Sequence, residues 1–600
     1  AAYESPDRPA GFVGMITANS FMKREFGKKL IEEHLPRWDL THVIDTSGAY
    51  IPGHGTPTVI LLFRGRAPDL DTVRTVMGIR GEPSRPDDPS KGLVWSAIVD
   101  QVDEPGSESA FVSVADIDRR QFATHPWSIG GGGAAELKER LEHSRQSMIG
   151  SLISAIGRTT VVGDDDAWLL PDTQAATRSR VAGHVMTFVT GDIVRDWRLE
   201  GCELCVYPYE TLAGDPLLAS DPLVQQFLWP NRSVLRNRSV FSKTLDERGM
   251  PWWVHLERYT DKLRTPQSIT FAFVATHNHF VLDRGGKVFN RSAPVIKLPA
   301  GATEDDHLAL LGLLNSAPAC FWMKQVFYPK GNGGVGGGIG DEGWEPRYEF
   351  DGTKLKQFPL PSGRPLVRAR RMDELAQELA TVSPEAVAER GVPTREVLGS
   401  ARERWGQIRA EMIAVQEELD WEVLGLYGLA DESLVAPPEV VPPVALGQRA
   451  FEIVLARQVA AREVETAWFT RHRSTPVTEI PAEWPEPYRQ VVQARIDRIE
   501  TDRDVALIER PECKRRWASD PWEEREHDAL RTWLLDRLEA PELWGADPAR
   551  LRSAGSLADT LRADHDVVAV AALYAGRPDV DLTAVVTDLV TDESVPYLAA

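Results

Sequence analysis

The sequence predicts a mixed α/β architecture in three parts: an α/β unit, a mixed unit with an irregular sheet, and a mainly α-helical C-terminal region. Three observations predict it. Residues 1–119 alternate β-branched apolar runs with a helically spaced segment. From Thr159 to Leu360 the apolar runs are short and broken by tight turns such as Arg284-Gly285-Gly286. Beyond Pro361 the apolar residues recur every three or four positions.

In order, Phe12–Thr17 is a short apolar run, Phe21–His34 has helical spacing, and His42–Asp45 and Thr58–Phe63 are β-branched runs. Residues 80–109, rich in Pro, Asp, Ser and Gly, read as loop or edge elements. Pro126–Gly133, PWSIGGGG, opens the second region at 120–360, and a helix carrying Leu137 and Leu141 on one face follows. Leu308–Asn315 and Ala319–Val326 read as helices. Trp405, Ile408, Met412, Val415, Leu419, Val423 and Leu426 form one apolar stripe in a helical domain at 361–434, which reads as core packing. A Pro-rich linker at 435–446 then leads to an acidic helical domain at 447–600, with helices expected near 447–471, 486–506 and 522–539.

Four cysteines in 600 residues exclude a disulfide scaffold. Cys202 and Cys205 form a lone CxxC, and Cys320 and Cys513 supply no second one, so buried thiols are expected rather than a zinc site. No apolar run approaches the roughly 18 residues of a membrane span, and Val567–Ala575 fits a buried helix. A cytoplasmic protein and a fragment of a longer chain both fit a sequence that opens on Ala1. The net charge of −21 divides unevenly: about −5 for residues 1–119, about −1 for 120–360 and about −15 for 361–600. The acidity lies in the helical region, so it does not exclude nucleic-acid binding through a basic patch in the middle of the chain.

That patch is Trp229–Arg264. It holds Arg232, Arg236, Arg238, Lys243, Arg248, Arg258, Lys262 and Arg264, interleaved with Trp229, Phe241, Trp252, Trp253 and Tyr259. Such cations neutralise phosphates, and arginine also reads guanine bidentately. The plainer alternative is a solvated basic face over a Trp-rich core, since Asp246, Glu247, Glu257 and Asp261 dilute the charge. Asn290-Arg291-Ser292 adds a further polar contact candidate. Gly331–Gly336 matches GxGxxG literally but lacks the surrounding βαβ unit, so dinucleotide binding is not expected there. Gly130–Gly133 precedes a helix whose amides suit a phosphate; a hinge is the simpler reading.

The order GMITANSF, basic helix, AYIPGHGTPTVILLF resembles the gamma-class adenine methyltransferases. Most of all it resembles the large single-chain adenine-specific methyltransferases of phage-growth-limitation and bacteriophage-exclusion (BREX) defence systems, which are similar to restriction-type methylase–recognition fusions. PWSIGGGGAAEL, GCELCVYPYE, FNRSAPVIKLP, LLGLLNSAPACFW and EELDWEVLGLYGL extend the likeness over nearly the whole chain.

The resemblance implies that residues 1–119 are the C-terminal part of a methyltransferase-like catalytic domain and 120–360 a target-recognition domain contacting double-stranded DNA. It implies that Tyr50 stacks on a flipped adenine, with Asn19 and His54 in the pocket loop, and an aromatic face suits an unstacked base. A strand-end aromatic capping the core is the alternative for Tyr50. S-adenosylmethionine is the implied cofactor, yet neither Phe-x-Gly-x-Gly nor Asn-Pro-Pro occurs in this chain, so no catalytic residue is assigned within it. A non-catalytic DNA-recognition module is the competing expectation. A third is a scaffold whose acidic helices dock other defence proteins.

Overall fold

The computed structural model describes residues 3–171, 173–201, 203–217, 222–240, 242–264, 266–330, 342–517, 519–544 and 552–591. The Gly331–Gly336 run, Cys202 and Phe241 lie outside the described residues.

The first unit is a five-stranded sheet of β1 (Phe12–Ala18), β2 (Asp39–Asp45), β3 (Thr58–Arg64), β4 (Thr72–Gly78) and β5 (Val112–Asp118), in the order β1-β3-β2-β4-β5. β2 and β4 run parallel; every other neighbouring pair is antiparallel. Val43, Val59, Leu61 and Val73 point into one core with Phe122, Trp127 and Ile129, so this core extends past residue 119. Ile44, Val76, Val112 and Val114 pack on the other face against the helix Leu93–Gln101.

Two expectations for this unit are corrected. The helically spaced Phe21–His34 folds as short 3-10 turns and a π turn, not one α-helix. The chain doubles back at Gly27, where a Cβ would sit 1.8 Å from the Phe21 carbonyl oxygen, so the regular ladder cannot run through. Residues 80–109 contain the helix Leu93–Gln101. It is capped from a distance: the Glu82 carboxylate accepts from the Leu93 and Val94 amides at 3.1 and 2.8 Å.

The middle of the chain holds two small four-stranded sheets. One, in the order Phe280–Asp283, Ser268–Phe271, Val295–Lys297, Ala155–Gly157, joins the largest core. The other, in the order Lys287–Phe289, Val185–Val189, Glu203–Val206, Leu169–Leu170, covers a separate core of Trp168, Phe188, Tyr207, Leu228 and Trp252. The expected helices form at Glu304–Leu314 and Ala317–Val326. Thr303 and Asp306 close a capping box on the first, and Ser316 caps the second.

The apolar stripe lies on a 32-residue helix, Arg395–Leu426, that buries Ile408, Met412, Leu419 and Val423. Residues 435–446, expected as a linker, are packed instead. Ala436 and Val444 are 1% exposed, and the Ala436 amide donates to Glu418 at 2.7 Å. The large core therefore continues from Ala134 through Trp517. The helices Trp522–Leu538, Ala554–Leu561, His565–Tyr574 and Leu582–Thr591 form a further lobe with Val387 and Leu398. Among the described residues, no helix is long and apolar enough to cross a membrane.

Candidate base pocket and nucleic-acid interface

The β2–β3 connection, Thr46–Pro57, carries Tyr50 and His54. It springs from the carboxyl end of β2, the edge at which open α/β sheets place ligands. Its two feet are tied by Thr46 Oγ1 and Thr58 Oγ1 at 2.7 Å and by the Thr46 amide donating to the Thr58 carbonyl at 3.1 Å. The end of β1 reaches the same edge, and the Asn19 amide donates to the Pro57 carbonyl at 2.9 Å. Asn19 is thereby brought to the rim that carries Tyr50 and His54. Tyr50 is half-buried, with the Arg85 guanidinium 5.2 Å from its ring centroid, and His54 is exposed. Thr46, Ser47, Tyr50, His54 and Thr58 line a concavity. A larger cavity of about 700 Å³, lined by Leu40, Asp71, Asp118 and Arg119, lies at the opposite edge of the sheet.

The residues of this rim do not fit S-adenosylmethionine. Among the described residues, the strands and loops of this unit contain no glycine-rich strand-turn to wrap a nucleoside. Among the described residues, no group of three His, Cys, Asp or Glu side chains has a metal-binding arrangement. Cys205 is a buried thiol 3.7 Å from His255 Nε2. Burial pulls His255 down to about 3, so it is neutral, and its Nε2–H donates to the Val206 carbonyl.

The basic segment divides into exposed and structural cations. Arg236 is exposed and pairs with Asp246, with Nε at 3.0 Å. Lys243 is exposed on a two-residue hairpin strand, and Arg264 and Arg291 are exposed ahead of the strands Ser268–Phe271 and Val295–Lys297. Arg232 is half-buried and stacks on Trp229 at 4.6 Å and Trp252 at 5.8 Å. Trp229 is 59% exposed beside Arg232, and Val234 is exposed as well. Trp253 is half-buried against Trp252.

Three residues expected to touch DNA are occupied within the fold. Arg238 is buried. Its guanidinium donates to the carbonyls of Leu235 (2.9 Å), Trp252 (3.1 Å), Val254 (2.8 Å) and Val162. Burial lowers it to about 10, and it holds this small lobe together. Trp252 belongs to the lobe's core. Arg258 lies 3.7 Å from the Tyr209 ring centroid and donates to the Gly214 carbonyl at 2.5 Å. Sequence spacing did not single out Arg158, which stacks over Tyr259 at 5.4 Å and pairs with Glu257 at 2.9 Å.

In the Gly130–Gly133 run two amides already have partners within the fold. The Gly131 amide donates to the Gly78 carbonyl at 3.0 Å and the Gly132 amide to Ser113 Oγ at 3.1 Å. Gly132 and Gly133 have φ of +67° and +89°, which glycine adopts freely.

The family described as a domain of unknown function (DUF7008) matches residues 412–600. Two solved structures show weak likeness. The type IIL restriction-modification enzyme MmeI in complex with DNA has 13% identity over 70% of this chain and 47% of its own, with a TM-score of 0.37. The type IIG restriction endonuclease BpuSI has 10% identity over 62% and 42%, with a TM-score of 0.29. The adenine-specific methyltransferase PglX of Streptomyces coelicolor is 48% identical over 98% of this chain and 50% of its own length. The chain thus spans about half the length of that relative, and over nearly all of its residues it is similar to an adenine-specific methyltransferase.

Proposed function

We propose that this chain supplies the base-side wall and the DNA-selecting apparatus of a site-specific N6-adenine DNA methyltransferase acting in phage defence. The observation that carries the reading is the 48% identity to PglX over 98% of the chain. In this reading the exposed cations Arg236, Lys243, Arg264 and Arg291 neutralise backbone phosphates, and Trp229 with Arg232 offers a stacked aromatic–cation face. An adenine swung out of the duplex meets Tyr50 at the rim shared with Asn19 and His54. S-adenosylmethionine is the methyl donor of the whole enzyme, and the acidic helical lobe faces away from the duplex, where it is free to meet other defence proteins.

The test has two readouts. Duplex binding by this chain is measured against salt, and N6-methyladenine formation from S-adenosylmethionine is measured for the full-length protein. Salt-dependent binding with methylation supports the reading. Salt-dependent binding without methylation assigns the chain to a recognition module. A log–log salt slope near zero removes phosphate contact altogether.

A further inference from the structure

The cores of the α/β unit end at Ile129, and the large core begins at Ala134, so the glycine run is the seam between them. Polar contacts bridge it. Lys23 Nζ donates to the Lys324 carbonyl at 3.2 Å, Arg24 pairs with Glu349 at 3.4 Å, and Ser128 Oγ donates to the Gln325 carbonyl at 3.2 Å. A further bridge comes from the domain of unknown function. Arg503 Nε donates to the Gly132 carbonyl at 2.8 Å, and its Nη2 reaches Glu108 beside β5 at 2.5 Å.

Arg503 is held from behind. It opens the helix Arg503–Ile508, whose Val505, Leu507 and Ile508 sit in the large core. Asp502 caps that helix, accepting from the Asp504 and Val505 amides at 2.9 and 3.1 Å. Asp504 pairs with Arg140 on the helix that follows the glycine run. The fit is close: a Cβ on Gly133 would lie 2.8 Å from Arg503 Nε, and one on Gly131 would lie 2.7 Å from the Met77 carbonyl oxygen.

From Arg503 a continuous set of contacts leads to the Tyr50 loop. Gly132 adjoins Gly131, whose amide bonds the Gly78 carbonyl at the end of β4. Gly78 abuts Asp45 at the end of β2, where a Cβ would stand 2.9 Å from Asp45 Oδ2. The next residue, Thr46, is the foot of the loop.

We infer that Arg503 is a positioning residue: through Glu108 and the glycine run it fixes the Tyr50-bearing sheet relative to the DNA-recognition region. The inference rests on the proposed function for its consequence in catalysis, but not for its mechanical part. It gives the domain of unknown function a task, namely holding the base pocket in register with the surface that chooses the site.

Arg503→Ala, Arg503→Lys and Glu108→Gln are made in the full-length protein. Labels on cysteines replacing exposed Glu33 and Glu210 report the distance between the two parts by pulsed electron spin resonance. We expect one narrow distance in the parent, a broadened one in Arg503→Ala and Glu108→Gln, and partial recovery in Arg503→Lys. Affinity for random-sequence duplex stays within about twofold, while kcat for methyl transfer falls on the order of 100-fold, the cost of an ångström-scale misplacement. A narrow distance with parental kcat in Arg503→Ala overturns the inference, and so does equal loss of binding and turnover. If the parent neither binds nor methylates DNA yet the variants still broaden, the proposed function fails and the mechanical role stands. Glu108→Gln removes only one charge at an exposed site, so it reports even if Arg503→Ala does not fold.

Discussion

Replacing Glu417 by glutamine should stabilise this protein at alkaline pH and do little at acid pH. Lys514 is fully buried among three carboxylates, at 3.2 Å from Glu417, 3.0 Å from Asp420 and 3.0 Å from Glu509. One ammonium cannot balance three buried negative charges. Burial, with Glu509 and Asp420 adding to it against the pull of Lys514 and Arg449, pushes Glu417 from its ordinary 4.5 up to about 7. A folded-state value above the unfolded one means that the native state binds more protons in this window, so stability falls as pH rises from about 4.5 to 7. At 1.36 kcal/mol per unit, the full loss is about 3 kcal/mol. Glutamine carries no charge to bury and escapes it. Denaturant unfolding of parent and Glu417→Gln is compared at pH 5 and pH 8. The stability gap should widen in favour of the variant by about 2–3 kcal/mol. Lys514→Met removes the only ammonium in the cluster and should cost about 3–5 kcal/mol at pH 8. A gap that stays constant with pH, or a Glu417→Gln as damaged as Lys514→Met, would refute the assignment of the proton to this cluster.

Arg238→Ala leaves four carbonyls without their donor and should cost about 3–5 kcal/mol in unfolding experiments, whereas Arg264→Ala should leave stability within about 0.5 kcal/mol. Lys243→Ala and Arg264→Ala should each reduce the salt slope of duplex binding by about 1, with no change in the unfolding midpoint. Tyr50→Ala in the full-length protein should lower methyl transfer by roughly 5- to 150-fold, as expected for loss of about 1–3 kcal/mol of base stacking, while Tyr50→Phe retains most activity. Equal loss in both Tyr50 variants would point to the hydroxyl rather than the ring.

Much of the fold was legible because period and burial agree. The stripe from Trp405 to Leu426 is a helix because its three- and four-residue spacing matches a buried face, and His42–Asp45 and Thr58–Phe63 are strands because β-branched residues fill a buried sheet. What failed depended on particular tertiary contacts that composition and spacing do not carry. Phe21–His34 has helical spacing, but Gly27 packs on the Phe21 backbone and breaks the ladder. The Leu93–Gln101 helix was hidden because Glu82, eleven residues away, supplies its cap. In the basic segment, composition alone does not separate Arg238 from Arg236. Four carbonyls converge on the first and one exposed carboxylate meets the second, and only the folded lobe tells them apart. The Tyr50 loop was legible as strand–loop–strand; its meeting with Asn19 required the β1–β3 register.

The matched domain of unknown function begins at residue 412, yet the fold has no seam there. Of three consecutive cations, Arg515 and Arg516 reach residues before 412 and show why. Lys514 turns into the carboxylates of the Arg395–Leu426 helix. Arg515 pairs with Asp196 at 3.0 Å and bonds Asn315 Oδ1 at 3.0 Å, joining the middle of the chain. Arg516 donates to Thr276 Oγ1 and the Trp344 carbonyl on another side. Three adjacent side chains with different polar partners fix the register, since a shift of one position strands buried charges. The segment 503–516 is thus locked in register at its far end by Lys514, Arg515 and Arg516, and it presents Arg503 to the seam at its near end. A rigid attachment at one end lets the guanidinium at the other act on the sheet, alongside the seam contacts of Lys23, Arg24 and Ser128.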